Sequence, residues 1–140
     1  MAEVQRMTFG STFIRRCVAA GAADFVWIRP KTGRWLVETL KGGGSSHLWD
    51  VAGLYVVTAE TFMPEMLDAA WKSPSEPPAI FRDNRIAGSF GAGVLEQGIP
   101  LEADEIVIGR EQTLVVSMMN ISGGALLTPA LAAICQRVER

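Results

Sequence analysis

The last third of the chain holds three short apolar runs, Ile106 to Ile108, Gln112 to Met119 and Leu131 to Val138, and turn residues separate them. Gly109 follows the first run. Asn120-Ile121-Ser122-Gly123-Gly124 closes the second with residues that tolerate positive φ or bond their own backbone. Runs of this length with this punctuation predict strands, and therefore a small β-sandwich or barrel. With 14 Gly and 7 Pro among 140 residues, the chain is too interrupted for long helices.

The size is that of one domain, so a single core over residues 1–140 is expected. Hydrophobic residues make up 49% and charged ones 20%, far from a disordered composition. No apolar stretch approaches the ~20 residues of a membrane helix, and the start, Met1 to Arg6, lacks the apolar centre of a signal peptide. The expectation is a soluble, non-secreted protein with no membrane partner. A formal charge of −2 gives no net cationic field to gather nucleic acid, which is not expected as a partner. Cys17 and Cys135 lie inside apolar runs near opposite ends. They read as buried thiols in a reducing compartment, with a disulfide open to them if their strands are neighbours.

Along the chain, Met1 to Ser11 reads as a flexible N-terminal arm and Thr12 to Val18 as a strand. Phe25 to Arg29 and Trp35 to Leu40 read as hairpin partners about Pro30-Lys31-Thr32-Gly33. Neither face of the second strand is purely apolar: Trp35, Val37 and Thr39 alternate with Leu36, Glu38 and Leu40. Gly42-Gly43-Gly44-Ser45-Ser46 reads as a mobile loop, and Gly53 to Thr58 as a strand from its Tyr, Val and Thr content. Pro64 to Trp71 predicts one short helix, since Met66, Leu67, Ala70 and Trp71 share a face. Ser73 to Pro78 is an extended connection, and a weak strand is expected near Val94. Ala125 to Val138 carries a helical stripe as well as a strand pattern; Pro129 favours a strand from about Leu131.

The residues able to do chemistry form no recognisable constellation, and the expectation is a protein that is not an enzyme, with no catalytic, metal or cofactor-binding residues. His47 is the single histidine, and no Ser-His-Asp or Cys-His spacing surrounds it. Cys17 has Arg15 and Arg16 beside it, which would favour a thiolate, but a small buried apolar residue is the simpler reading. The glycine-rich Gly42 to Ser46 lacks the lysine of a phosphate loop, and Gly88 to Gly93 lacks the helix and acidic residue of a dinucleotide fingerprint. Glu102, Asp104 and Glu105 read as a solvated turn. Asn120-Ile121-Ser122 fits a glycosylation acceptor by pattern and, without a secretory signal, reads as a turn.

Aromatic area concentrates binding energy, and Trp27, Trp35, Trp49 and Trp71 all fall within the first 71 residues of the chain. Core packing accounts for most of them. The candidate interface residues are His47, Trp49 and Trp71, with Arg82 and Arg85 of the compact Arg82-Asp83-Asn84-Arg85 turn. Two other classes stay open: a carbohydrate- or small-ligand-binding sandwich using Trp49 or Trp71 with Asp50 or Asn84, and an enzyme built around His47 or Cys17.

Glu105 to Val138 runs strand, Gly-Arg-Glu-Gln turn, Leu-Val-Val-Ser-Met-Met strand, Asn-Ile-Ser-Gly-Gly turn and final strand. This segment, about a quarter of the chain, resembles β-sandwich structural proteins of tailed bacteriophage virions, many of which run an apolar strand into an Asn-x-Ser-Gly turn. The resemblance implies a capsid decoration or cementing protein, or another head- or tail-associated component. It further implies a homo-oligomer that touches a major capsid or other virion protein, located in the virion after assembly in the host cytoplasm. No catalytic residues carry over. Contacts are expected at Met1 to Ser11, Gly42 to Trp49 and Ser73 to Ile80, each ordering on assembly.

Overall fold

A computed structural model describes residues 5–13, 16–58 and 94–138. Eleven strands are present among them: β1 Arg6–Gly10, β2 Thr12–Phe13, β3 Cys17–Val18, β4 Ala23–Ile28, β5 Arg34–Gly42, β6 Trp49–Thr58, β7 Ile99–Pro100, β8 Val107–Gly109, β9 Gln112–Asn120, β10 Leu126–Leu127 and β11 Leu131–Arg137. One four-residue helix, α1, covers Val94–Gln97. Nine strands form an all-antiparallel, nearly closed barrel-like sheet in the order β1-β11-β5-β8-β9-β4-β2, with β6 on β9 and β7 on β5. The mainly β class expected from the punctuation is therefore the observed one. The short helix expected over 64–71 lies outside the described residues.

β9 occupies the middle of this arrangement. It pairs with β4 through Leu114 to Met119 and with β6 through Gln112 to Asn120. A strand bonded on both edges and covered on both faces must be apolar without alternation, and Thr113 to Met118 are all buried. Leu114, Val116 and Met118 point into the main core with Val26, Ile28, Trp35, Val37, Leu54 and Ile108. Val115 points the other way, into a second cluster with Phe25, Tyr55 and Val57, against which Trp27 lies. The Thr113 and Ser117 hydroxyls are buried with no hydrogen-bond partner among the described residues.

β5 shows why its alternation read as two mixed faces. Its pairing with β11 runs Thr39 to Ile134 and then Val37 to Cys135, so Glu38 is a bulge residue with no opposite number. The extra residue shifts the phase: Trp35 and Val37 are buried before it, Leu40 and Gly42 after it. The Glu38 carbonyl accepts from the Leu101 amide at 2.8 Å, and the Val37 amide donates to the Ile106 carbonyl at 2.8 Å. A second bulge at Ala52 of β6 does the same between Val51 and Gly53.

Several local expectations change. β5 does not fold back on β4; β4 pairs with β2 and β9, and β5 with β11, β8 and β7. The arm expected over 1–11 is, from Arg6 to Gly10, a strand on β11, held also by a two-pronged ion pair from Arg6 to Glu38 at 2.9 and 3.5 Å. At the corner, the Ser11 amide donates to the Leu131 carbonyl at 2.9 Å, and Ser11 Oγ accepts from the Leu131 amide at 2.8 Å. Immediately afterwards Thr12 and Phe13 pair with β4, so this one stretch joins the two ends of the sheet. Of the strand expected over Thr12 to Val18, the described residues form two pieces in different sheets, β2 and β3, and residues 14 and 15 lie outside the described ones. Val94, expected in a strand, opens α1 instead, which sinks Leu95 into the core.

The glycine-rich segment is structured rather than loose. Gly42 ends β5 opposite Leu131, and Gly44–Leu48 form a 3-10 turn. A Cβ on Gly42 would lie 2.6 Å from Ser46 Cβ and 3.0 Å from Leu131 Cδ2. The glycine is there to let the turn close down on the strand.

Asn120 ends β9 and uses all four of its side-chain hydrogen-bonding positions while fully buried. Its Nδ2 donates to the Val18 and Gly124 carbonyls, each at 2.9 Å, and its Oδ1 accepts from the Ser122 amide at 2.9 Å and the Ser122 hydroxyl at 2.8 Å. The side chain thus fixes the following turn and clips it to β3, which pairs with β10. Asn120→Asp keeps the acceptor but strips both donors and buries a charge, so unfolding free energy should fall by about 2–4 kcal/mol in urea titrations. A loss under about 1 kcal/mol would remove Asn120 as the clip.

Candidate functional site

Among the described residues, two places combine a cavity with exposed apolar or charged side chains, apart from Met7 and a cavity of about 430 Å³ beside Thr8 and Leu131 on the outer strands. The first is the ribbon β3/β10 and the turn before it. Cys17 lies opposite Leu127, and both are exposed, while their neighbours Val18 and Leu126 face inward. Leu127 is 49% exposed and Ile121, at the tip of the Asn120 turn, 40%. The turn is held from below, since the Ile121 amide donates to the Leu48 carbonyl at 3.1 Å. Large apolar side chains presented by hydrogen-bonded backbone lose little further entropy when a partner covers them.

Beneath the ribbon, Asp24 is buried at the start of β4 and carries a set of donors. Oδ1 accepts from Arg16 Nη2 and from the Phe25 amide at 2.8 Å, and Oδ2 accepts from Thr128 Oγ1 at 2.5 Å. The Thr128 amide also bonds the Arg16 carbonyl at 3.3 Å. A carboxylate so fully engaged holds the ribbon to the barrel. A shallow cavity of about 270 Å³ beside it is lined by Arg16, Cys17 and Asp24.

The second place is the barrel end formed by the start of β5, the end of β6 and the β8–β9 turn. An open cavity of about 600 Å³ lies there among Arg34, Thr58, Arg110, Glu111 and Gln112. Two guanidinium groups and one carboxylate make this a charged rim. Among the described residues no group of three His, Cys, Asp or Glu side chains is placed to hold a metal.

Of the expected interface residues, His47 is exposed, on the 3-10 turn after β5. Trp49 is not available: it is 0% exposed at the start of β6. The first residue of a ten-residue strand points into the core because its β9 partner is Asn120, whose ladder position sets that face inward. Trp71, Arg82 and Arg85 lie outside the described residues. Trp35 is buried too, edge-on to Phe9 with ring centres 5.0 Å apart and with the Arg137 guanidinium 5.8 Å from its ring. Trp27 is half-buried on the second cluster, 5.8 Å from Phe25.

The two thiols part company. Both are free; Cys17, expected to be buried, is exposed, because β3 is a ribbon strand outside the barrel. Cys135 is buried, and desolvation together with the Glu38 charge pushes its thiol up to about 12. Sequence reasoning did not single out Asp24, which follows Gly21-Ala22-Ala23. Its one signal is a charged residue entering an apolar strand, where a carboxylate needs donors.

Asp50 is half-buried, and its Oδ1 is sealed from solvent with no hydrogen-bond partner among the described residues. Desolvation raises its pKa. No family model matches the chain, and no curated protein or solved structure matches it significantly.

Two measurements follow from these groups. A thiol reagent on the native protein should modify Cys17 rapidly and Cys135 only on unfolding; two fast equivalents would contradict the burial of β11. In the interval between the ordinary aspartate value and the raised one, the folded state holds a proton that the unfolded state has released. Rising pH therefore lowers stability across that interval, and the loss persists above it. Asp50→Asn should be the more stable protein at neutral pH, and the difference should vanish well below about pH 4. A difference independent of pH would exclude the titration of Asp50 as its source.

Proposed function

We propose that this chain is a non-enzymatic structural protein of a tailed-bacteriophage virion, a capsid decoration or cementing protein or another head- or tail-associated component. It acts through protein contacts, with itself and with a major capsid or other virion protein. The observation that carries this reading is the apolar tip: Ile121 and Leu127 are exposed on a turn and ribbon that Asn120 and Asp24 brace from inside. An apolar side chain held out by a stiff support is suited to filling a pocket on a neighbour. The same turn is the Asn-Ile-Ser-Gly-Gly stretch on which the resemblance to virion sandwich proteins rests. In a lattice, many such modest contacts add through avidity, so each one can be small.

The ligand-binding alternative loses one of its two stacking platforms, since Trp49 has no exposed face.

Virions purified from cells that also produce the tagged chain test the reading. The chain should sediment with the particles, and the double variant Ile121→Asp, Leu127→Asp should stay folded by circular dichroism yet remain in the supernatant. Virions free of the wild-type chain would overturn the virion role; particle binding unaffected by the double variant would overturn the tip as the contact.

A further inference from the structure

We infer that the outer edge of β1, which no other described strand pairs with, is a self-pairing surface, and that two copies of the chain join there as an antiparallel β1–β1 pair centred on Thr8. The partner is a second copy. The inference rests on the assembly reading only in expecting self-association, and it is measurable without any virion.

The direction of each main-chain group on β1 follows from its ladder with β11. That ladder runs Arg6 to Gln136 through Gly10 to Ala132 without a shift. It is flanked by bonds from the Arg137 amide to the Gln5 carbonyl at 2.8 Å and from the Ser11 amide to the Leu131 carbonyl at 2.9 Å. In an antiparallel ladder bonded residues alternate, so Gln5, Met7, Phe9 and Ser11 bond towards β11. The N–H and C=O groups of Arg6, Thr8 and Gly10 therefore point to the outer edge. No other strand among the described residues pairs with them.

Three bonding residues at a spacing of two are complementary to their own copy. A two-fold axis at Thr8 sets Thr8 opposite Thr8, Arg6 opposite Gly10 and Gly10 opposite Arg6, so every outward donor meets an acceptor. Side chains agree with this register. Met7, 44% exposed, comes opposite Phe9 of the other copy, on the face where Phe9 already leans on Trp35. Arg6 comes opposite Gly10, where an added Cβ would have nothing within 4 Å, so the position opposite the arginine is open to a larger side chain as well. Its charge is already met by Glu38 of its own chain. Arg6–Gly10 carries no proline, no lysine and no bulge, and its one charge, on Arg6, is paired within its own chain. Beyond Ser11 the strand pairs with β4, which confines the partner to these five residues.

Light scattering after size exclusion should give the wild-type chain twice its 15.1 kDa mass. Thr8→Pro removes an amide that β11 does not use, so it should leave the fold intact by circular dichroism and weaken the dimer at least about tenfold. Should Thr8→Pro unfold, a charge pair at the open position 10 decides the matter. Gly10→Arg faces Arg6 of the other copy and should yield monomer, whereas Gly10→Glu should stay dimeric. A monomeric wild type overturns the inference, as does a dimer that Thr8→Pro leaves unchanged while folded, or Gly10→Arg and Gly10→Glu variants of equal mass.

Discussion

Burial of β9 on both faces and pairing along both of its edges is the constraint from which the rest of the structure follows. A strand so placed cannot alternate, and Thr-Leu-Val-Val-Ser-Met from 113 to 118 does not. With β4 on one side and β6 on the other, its two rows of side chains define two apolar layers, one inside the barrel and one on the far side of the sheet. At its end Asn120 converts the strand into a turn with no polar atom of its side chain left over. The surface proposed to act in assembly is continuous with that turn.

Closure of the sheet depends on two irregularities rather than on regular strands. The bulge at Glu38 moves β5 out of phase, so that Trp35 and Val37 and then Leu40 all reach the core. It also turns the Glu38 carboxylate back across β11 to Arg6, which raises the already high arginine pKa and ties down the first strand. The corner at Ser11 then hands the same stretch of chain from β11 to β4. A strand that changes neighbours midway leaves each half with one edge that no other described strand pairs with, and that edge of β1 is the surface inferred to pair with its copy.

Much of this was legible in the residues and some of it was not, for definable reasons. The strands over 107–109 and 112–120 were readable because apolar and β-branched content and the turns between them pointed the same way, and for 131–137 Pro129 outweighed a competing helical stripe. The pairing of β4 with β9 rather than β5 was not, because a hairpin is a local signal and a ladder between residues about ninety apart is not. The glycine-rich segment was misread for a related reason: small residues permit looseness and close approach equally, and only the position of Ser46 and Leu131 against Gly42 selects the second. Trp49 looked like a surface anchor beside a loop, but its register on Asn120 turns it inward. The exposure of Cys17 and the burial of Asp24 depend likewise on a two-residue ribbon that periodicity cannot register.

By itself the sequence determined that this chain is built of strands, since side-chain shape and turn chemistry act over a few residues and are written in order along it. Which strands lie side by side, which row of each faces inward, and therefore which aromatic, thiol or carboxylate meets solvent, was decided by the tertiary structure. Those outcomes follow from bulges and long-range ladders whose energy comes from partners far away in the chain, and a one-residue change of phase inverts every face at once.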